Sequence, residues 1–214
     1  MQKTLLQLLQ SMAVNLNGDT TAPVSGTDEY NLWVDALMQA QDIWGESDYD
    51  FPELRATYRT TILISGTSVA LPDGFVKLYG FPILGGNSIQ EVDPQKVDFY
   101  KDQTYVTLDM NDQSMQIYPA LATTVPMQFP YRTMPTAMTT LTDRSLCPSN
   151  DFMISKASEI ILFGRENARY SKFKDDADLA MAKMIGTKVH KQSQADTSIR
   201  NTSMDKSGFV LGRD

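Results

Sequence analysis

His190 and Cys147 are the only histidine and the only cysteine in 214 residues, and they set narrow limits on the chemistry available. A hydrolase needs a nucleophile with a base beside it. His190 falls near the end of a lysine-bearing stretch (Lys183, Lys188, Lys191), a poor setting for a base, and no second histidine is left for catalysis. One histidine cannot build a histidine-based metal cluster. One cysteine excludes an internal disulfide and a cysteine-rich metal site, which reads as a reduced compartment with an incidental thiol. Asp48 and Asp50 stand two apart in an acidic connector, but a calcium loop needs further oxygen ligands at fixed spacing, and these are missing. Gly85-Gly86 could mimic a phosphate cradle. Without a following Lys-Ser/Thr and a strand-loop-helix setting, a tight hairpin is the expectation. Other carboxylate pairs sit in turns and at helix starts, where capping and the helix dipole account for them. The chain is therefore expected not to be an enzyme, with no catalytic, cofactor-binding or metal-ligating residues and no cofactor.

Trp33 and Trp44, eleven residues apart, share one helical stripe with Leu37 and Ala40. They could form a ligand platform; a core seam is the expected role, with Ile154 and Ile161 as its counterparts late in the chain. Charge is the other informative quantity. The net charge is −7, which argues against general nucleic-acid binding through electrostatics. It is also uneven. Residues 1–150 carry net −9 and residues 151–214 carry net +2, so the two ends are expected to face different neighbours.

The elements that would position these residues follow from hydrophobic period. Leu5, Leu8, Leu9, Met12 and Leu16 make one helical stripe over residues 2–16, ended by Gly18. Gln7, Gln10 and Asn15 interrupt that start, so an amphipathic helix is expected rather than a signal peptide. No run approaches the roughly 18 apolar residues of a membrane span. A second helix is expected over 28–46, capped by Ser25 or Thr27. From Phe51 the period becomes two, with strands near 57–65, 75–81, 88–92, 104–109 and 114–118. Pro126 and Pro130 remove backbone donors from a further strand at 125–132, which is expected at an edge or bend. Helical period returns at Asp151, for a helix over 151–172 capped by Asn150, and a last helix starts at Lys174. Gly164 inside the third helix is expected to admit a close neighbour. Beyond Gln192 the pattern dissolves, and Phe209, Val210 and Leu211 would anchor an ordered arm on another subunit, with Ile199 and Arg200 nearby.

The expected fold is α+β. N- and C-terminal helices (residues 1–50 and 143–192) form a bundle, residues 51–142 an inserted antiparallel β-sandwich or barrel-like domain, and residues 193–214 an extended arm. This order of elements carries a Leu71-Pro72-Asp73-Gly-Phe75 turn, an Ile117-Tyr118-Pro119 strand end, an irregular Tyr131-Arg132 segment and Leu146-Cys147-Pro148 ahead of the last helices. It resembles the head-to-tail connector, or adaptor, proteins of tailed bacteriophages, over roughly residues 28–192. The resemblance implies a homo-oligomeric ring, a dodecamer, set below the portal protein in the neck of the virion. Such a ring extends the channel for double-stranded DNA without reading its sequence, and offers a platform to a nozzle or tail protein. In that family an arm can climb onto the portal. Another head-completion or tail-terminator protein, or a ligand-binding β-module with helical arms, are the competing classes.

Overall fold

The computed structural model describes residues 2–63, 66–100 and 103–204, with side chains as far as Thr187. The chain is α+β and divides into two compact units. One is built from the chain up to Trp44 and again from Ala137; the other is Gly45–Thr136.

The helical unit begins with α1 (Leu5–Asn17). Thr4 and Gln7 form a reciprocal capping box at its start, and Gly18 closes it in the left-handed region at φ 84°. α2 (Asp28–Glu46) follows, with the Thr27 hydroxyl accepting from the Tyr30 N–H. After the other unit come α3 (Asn150–Gly164) and α4 (Tyr170–Met204). α1 and α4 both pack on α3. Their apolar stripes are buried: Leu5, Leu8, Leu9 and Met12 on α1, Trp33, Leu37, Ala40 and Trp44 on α2, Ile154, Ala157 and Ile161 on α3, and Phe173, Ala177 and Met184 on α4.

Four expectations for this unit are corrected. α3 stops at Gly164 rather than near residue 172, because Glu166 adopts a left-handed conformation (φ 51°). The Glu166 N–H then bonds the Phe163 carbonyl at 3.0 Å and the Asn167 N–H that of Leu162 at 2.9 Å, the pattern of a Schellman stop. Gly164 is thus a last-turn residue, and a Cβ placed on it would meet nothing within 4 Å, so it admits no close neighbour. The cap of α3 is Ser149, whose hydroxyl accepts from the Phe152 N–H at 3.1 Å; Asn150 instead accepts from the Lys3 N–H at 2.8 Å. Finally, residues 193–204 are helical rather than extended, since α4 runs on to Met204. Residues 188–204 contain neither Gly nor Pro. A helix already nucleated by packing propagates by adding one hydrogen bond per residue, and an apolar stripe is not needed for that.

The β unit holds β1 (Arg55–Ile62), β2 (Ser68–Ala70), β3 (Phe75–Leu78), β4 (Ile83–Leu84), β5 (Asn87–Ser88), β6 (Gln90–Glu91), β7 (Tyr105–Asp109), β8 (Ser114–Tyr118) and β9 (Val125–Thr133). One sheet runs β1-β9-β4-β5, with β3 also on β9; the other runs β2-β8-β7-β6. The second sheet is mixed rather than antiparallel, because β6 pairs β7 in parallel. Neither sheet closes into a barrel among the described residues. Alternate residues of both sheets, among them Val106, Met115, Ile117, Met127 and Phe129, make one buried cluster.

β9 is central, not an edge, despite Pro126 and Pro130. The carbonyl of Pro130 accepts from the Tyr79 N–H and that of Pro126 from the Gly85 N–H, each at 2.9 Å. In a strand the N–H and C=O of one residue point to the same side, so both prolines face β3 and β4. On that side the partner chain is broken between Leu78 and Ile83, opposite Pro130, and β4 ends at Leu84, short of Pro126. The side that meets β1 carries only residues with intact donors, and all eight residues of β1 are paired there. Arg132, next along β9, is 4% exposed. It stands opposite Arg55, yet the two guanidiniums diverge. Arg132 donates from Nη2 to the carbonyls of Gly45 and Ser47, at 2.6 Å each, at the C-terminal end of α2. Arg55 donates to Asp50 at 3.0 Å and lies over the Tyr79 ring. The Asp50 carboxylate accepts from the Tyr79 hydroxyl, which together with burial raises the phenol above its ordinary pKa.

The segment that returns to the helical unit is organised by Asp143. Its carboxylate accepts from the N–H groups of Thr139 (2.8 Å) and Thr140 (2.7 Å) and from the Thr140 hydroxyl (2.7 Å). The loop so fixed turns its own carbonyls to the start of α1: Asp143 accepts from the Leu5 N–H and Leu141 from the Leu6 N–H, two donors with no intrahelical partner. The Thr140 hydroxyl, then the N–H groups of Thr140 and Thr139, hold the Asp143 carboxyl down at about 2, against an ordinary 3.8. A depressed carboxyl stabilises the fold above its unfolded value, and that contribution drains as pH falls from about 4 to about 2. Asp143→Asn is therefore expected to lower the urea midpoint at pH 7 and to flatten its fall between pH 4 and pH 2. An unchanged acid limb in the variant would assign that limb to other groups.

Candidate functional site

α2 is where structure and charge coincide. Its apolar stripe is buried, and its opposite face is exposed at Asp28, Glu29, Leu32, Asp35, Gln39, Asp42 and Ile43. Asp28, Asp35 and Asp42 recur at intervals of seven. Two turns of helix span about 10.5 Å, so the three carboxylates follow one line with little drift. That separation is near the screening length of physiological salt, about 8 Å, so their mutual repulsion is small while their effect on an approaching polyanion adds up. Arg165 lies 3.6 Å from Glu29, both half exposed. No ion pair reaches Asp35 or Asp42 among the described residues. The helix contains neither Lys nor Arg, and in the sequence no basic residue occurs between Lys3 and Arg55, while nine carboxylates do. Averaging charge over 150 residues dilutes this signal; a base-free window of fifty residues would have located it.

α2 is held rigidly from behind. The Gln41 side chain is buried and accepts from the Ser145 hydroxyl at 2.9 Å, and that hydroxyl accepts from the Cys147 N–H at 3.0 Å. The Cys147 thiol is buried against Met184 of α4 (S–S 3.9 Å). An acidic face backed by a satisfied polar anchor and two buried indoles is a fixed surface, one suited to repelling or orienting charge.

Other recesses offer less. A groove of about 930 Å³ runs between α1 and α4 over α3, rimmed by Asp151 and Asp176 and by Arg169, Lys172 and Lys183. Charges of both signs alternate there, and it holds no nucleophile paired with a base. Among the described residues, no group of three or more His, Cys, Asp or Glu side chains is placed to hold a metal ion, and no helix is long and apolar enough to cross a membrane.

Trp33, Leu37 and Trp44 are fully buried, and Ile154 and Ile161 nearly so. The tryptophans thus present no ring to a ligand. Ile199 and Arg200 lie on α4 beyond the last described side chain. Phe209, Val210 and Leu211 lie outside the described residues, as does the side chain of His190. No protein-family model matches the chain, and no curated protein matches it either.

Proposed function

We propose that the chain is a structural protein of a tailed-bacteriophage virion, a subunit of a ring that joins the portal to the tail or nozzle and continues the DNA channel. The observation that carries this reading is the acidic face of α2, which has no Lys or Arg of its own and, among the described residues, meets a basic group only where Arg165 reaches Glu29. A wall past which double-stranded DNA must slide should present fixed like charge and no basic anchor, because each phosphate neutralised by Lys or Arg adds affinity. In this reading α2 faces the lumen. The helical unit is the bundle towards the portal, and the two-sheet unit is a sandwich-like insertion towards the tail. The ring is a dodecamer in the virion neck, assembled in the host cytoplasm. The protein carries out no reaction and needs no cofactor.

Mixing the protein with its portal and imaging the product tests assembly: a closed ring on the portal is expected, and persistent monomers beside bare portal would sink the reading. The role of α2 is tested separately with the triple variant Asp28→Lys, Asp35→Lys, Asp42→Lys. The wild-type protein should leave duplex DNA unretarded in a low-salt gel. The variant should retard it, with log K falling against log salt with a slope of up to about −3 for three phosphates contacted. Firm DNA binding by the wild type would rule out α2 as a sliding surface.

A further inference from the structure

β1 is the outermost strand of its sheet, and it departs from every other sheet edge in the unit. It is eight residues long, whereas β5 and β6 have two each and β2 three, and the pairing of β3 is bulged between Phe75 and Lys77. Exposed edges are normally blunted by shortness, proline, lysine or a bulge. β1, Arg-Ala-Thr-Tyr-Arg-Thr-Thr-Ile, is long and unbulged and has neither proline nor lysine; its only charges are Arg55 and Arg59.

Which of its backbone groups are open follows from β9. Because Pro126 and Pro130 face β3 and β4, Val125, Met127, Phe129 and Tyr131 face β1, and their partners Ile62, Thr60, Tyr58 and Ala56 face β9. Arg55, Thr57, Arg59 and Thr61 therefore turn their N–H and C=O groups outward. The Arg55 N–H closes the preceding turn on the Pro52 carbonyl; no hydrogen bond among the described residues reaches the other backbone groups of these four, and Thr57, Arg59 and Thr61 are exposed. Tyr58, half-buried, ends an aromatic row at this edge: its ring lies 5.3 Å from Phe129, which lies 6.4 Å from Phe75.

We propose that β1 is a self-pairing interface, through which two copies of the chain join β1 to β1, antiparallel, about a two-fold axis at Tyr58. The register is selected by the side chains. Outward-facing groups come opposite one another only when the axis passes through a residue rather than between two. An axis at Arg59 sets two guanidiniums directly opposite each other, and one at Thr57 sets Arg55 opposite Arg59; like charges so placed are destabilising. With the axis at Tyr58, Arg55 faces Thr61 and Thr57 faces Arg59, seven residues of each strand pair, and no like charges meet. Each such pair exchanges two hydrogen bonds, less the Arg55 N–H already engaged on Pro52 in each copy, about six in all, and the Tyr58 positions take the closer, non-hydrogen-bonded spacing. The row Phe75–Phe129–Tyr58 then continues into its two-fold mate. A two-fold contact closes at two copies, so the pair is a state of the free protein. It does not depend on the connector reading.

Sedimentation of the full chain tests this. The wild type should sediment at twice 23.9 kDa at about 100 µM, where a micromolar Kd leaves the pair formed. Thr57→Pro removes one outward donor and crowds the incoming strand but leaves the bonds to β9 intact, and it should sediment at the single-chain mass with unchanged circular dichroism. Should that variant fold poorly, Thr57→Cys with Arg59→Cys provides a second readout. Opposed hydrogen-bonded positions stand about 5.5 Å apart at Cα, within disulfide reach, so oxidation should yield a covalent dimer. A wild type that stays at 23.9 kDa overturns the proposal, as does a folded Thr57→Pro variant that still dimerises, or a Cys pair that stays uncrosslinked.

Discussion

Arg132→Met is expected to cost about 2–4 kcal/mol of stability, the net of two opposing effects. Removing the guanidinium takes the 2.6 Å donor from the buried carbonyl of Gly45 and from the half-buried carbonyl of Ser47. A buried polar group that loses its partner costs roughly 1–3 kcal/mol. Against this, an apolar side chain no longer has to desolvate a charge, and exchanging a buried ion for a hydrophobe of similar volume is neutral or better in favourable cases. The first effect should win here, because the acceptors are backbone groups at a helix end, which no side-chain change elsewhere can remove. Urea unfolding of the variant measures it: a lower midpoint with unchanged slope is expected. A shift under about 0.5 kcal/mol would mean that water replaces the guanidinium at both carbonyls.

Trp33→Ala should be the most damaging single truncation in the helical unit, at about 3–5 kcal/mol, since the side chain is fully buried and its loss opens a cavity. Trp33→Phe should cost much less. The Trp33 indole N–H is buried and has no hydrogen-bond partner. A group in that state carries a desolvation penalty of roughly 1–3 kcal/mol, and phenylalanine removes it while keeping most of the ring. Thermal melts of the two variants separate these effects. Equal destabilisation would show that volume alone matters at this position.

The helical unit was largely legible because its signals are local. Thr27 and Gly18 mark ends by their own chemistry, and the Trp33–Leu37–Ala40–Trp44 spacing identifies a buried stripe whatever lies against it. Misreadings arose where the answer depends on a neighbour. Two prolines argue for an edge only if a partner strand needs their donors, and the break between Leu78 and Ile83 removes that need at Pro130, as the end of β4 does at Pro126. Gly164 suggests close packing until Glu166 is seen to carry the stop. Past Gln192 a missing apolar stripe looks like a missing helix, although stripes report burial rather than backbone state. The acidic face of α2 lay in plain sight as composition. It became a surface only once the buried stripe fixed which way the helix is turned.

Gly45 has a consequence for the order in which the chain folds. A Cβ there would lie 2.5 Å from Cδ of Pro135, so the points where the chain enters and leaves the β unit are side by side. To the helices, an unfolded insertion of about 90 residues is a loop whose closure costs about 4 kcal/mol, by the logarithmic dependence on length. Once the β unit has folded, it holds its own ends together and that cost disappears. The inserted unit thus acts as a staple for a sequence-distant helix pair. Incorporation of α2 into the helical unit should wait on the sheets, even though α2 leaves the ribosome before them.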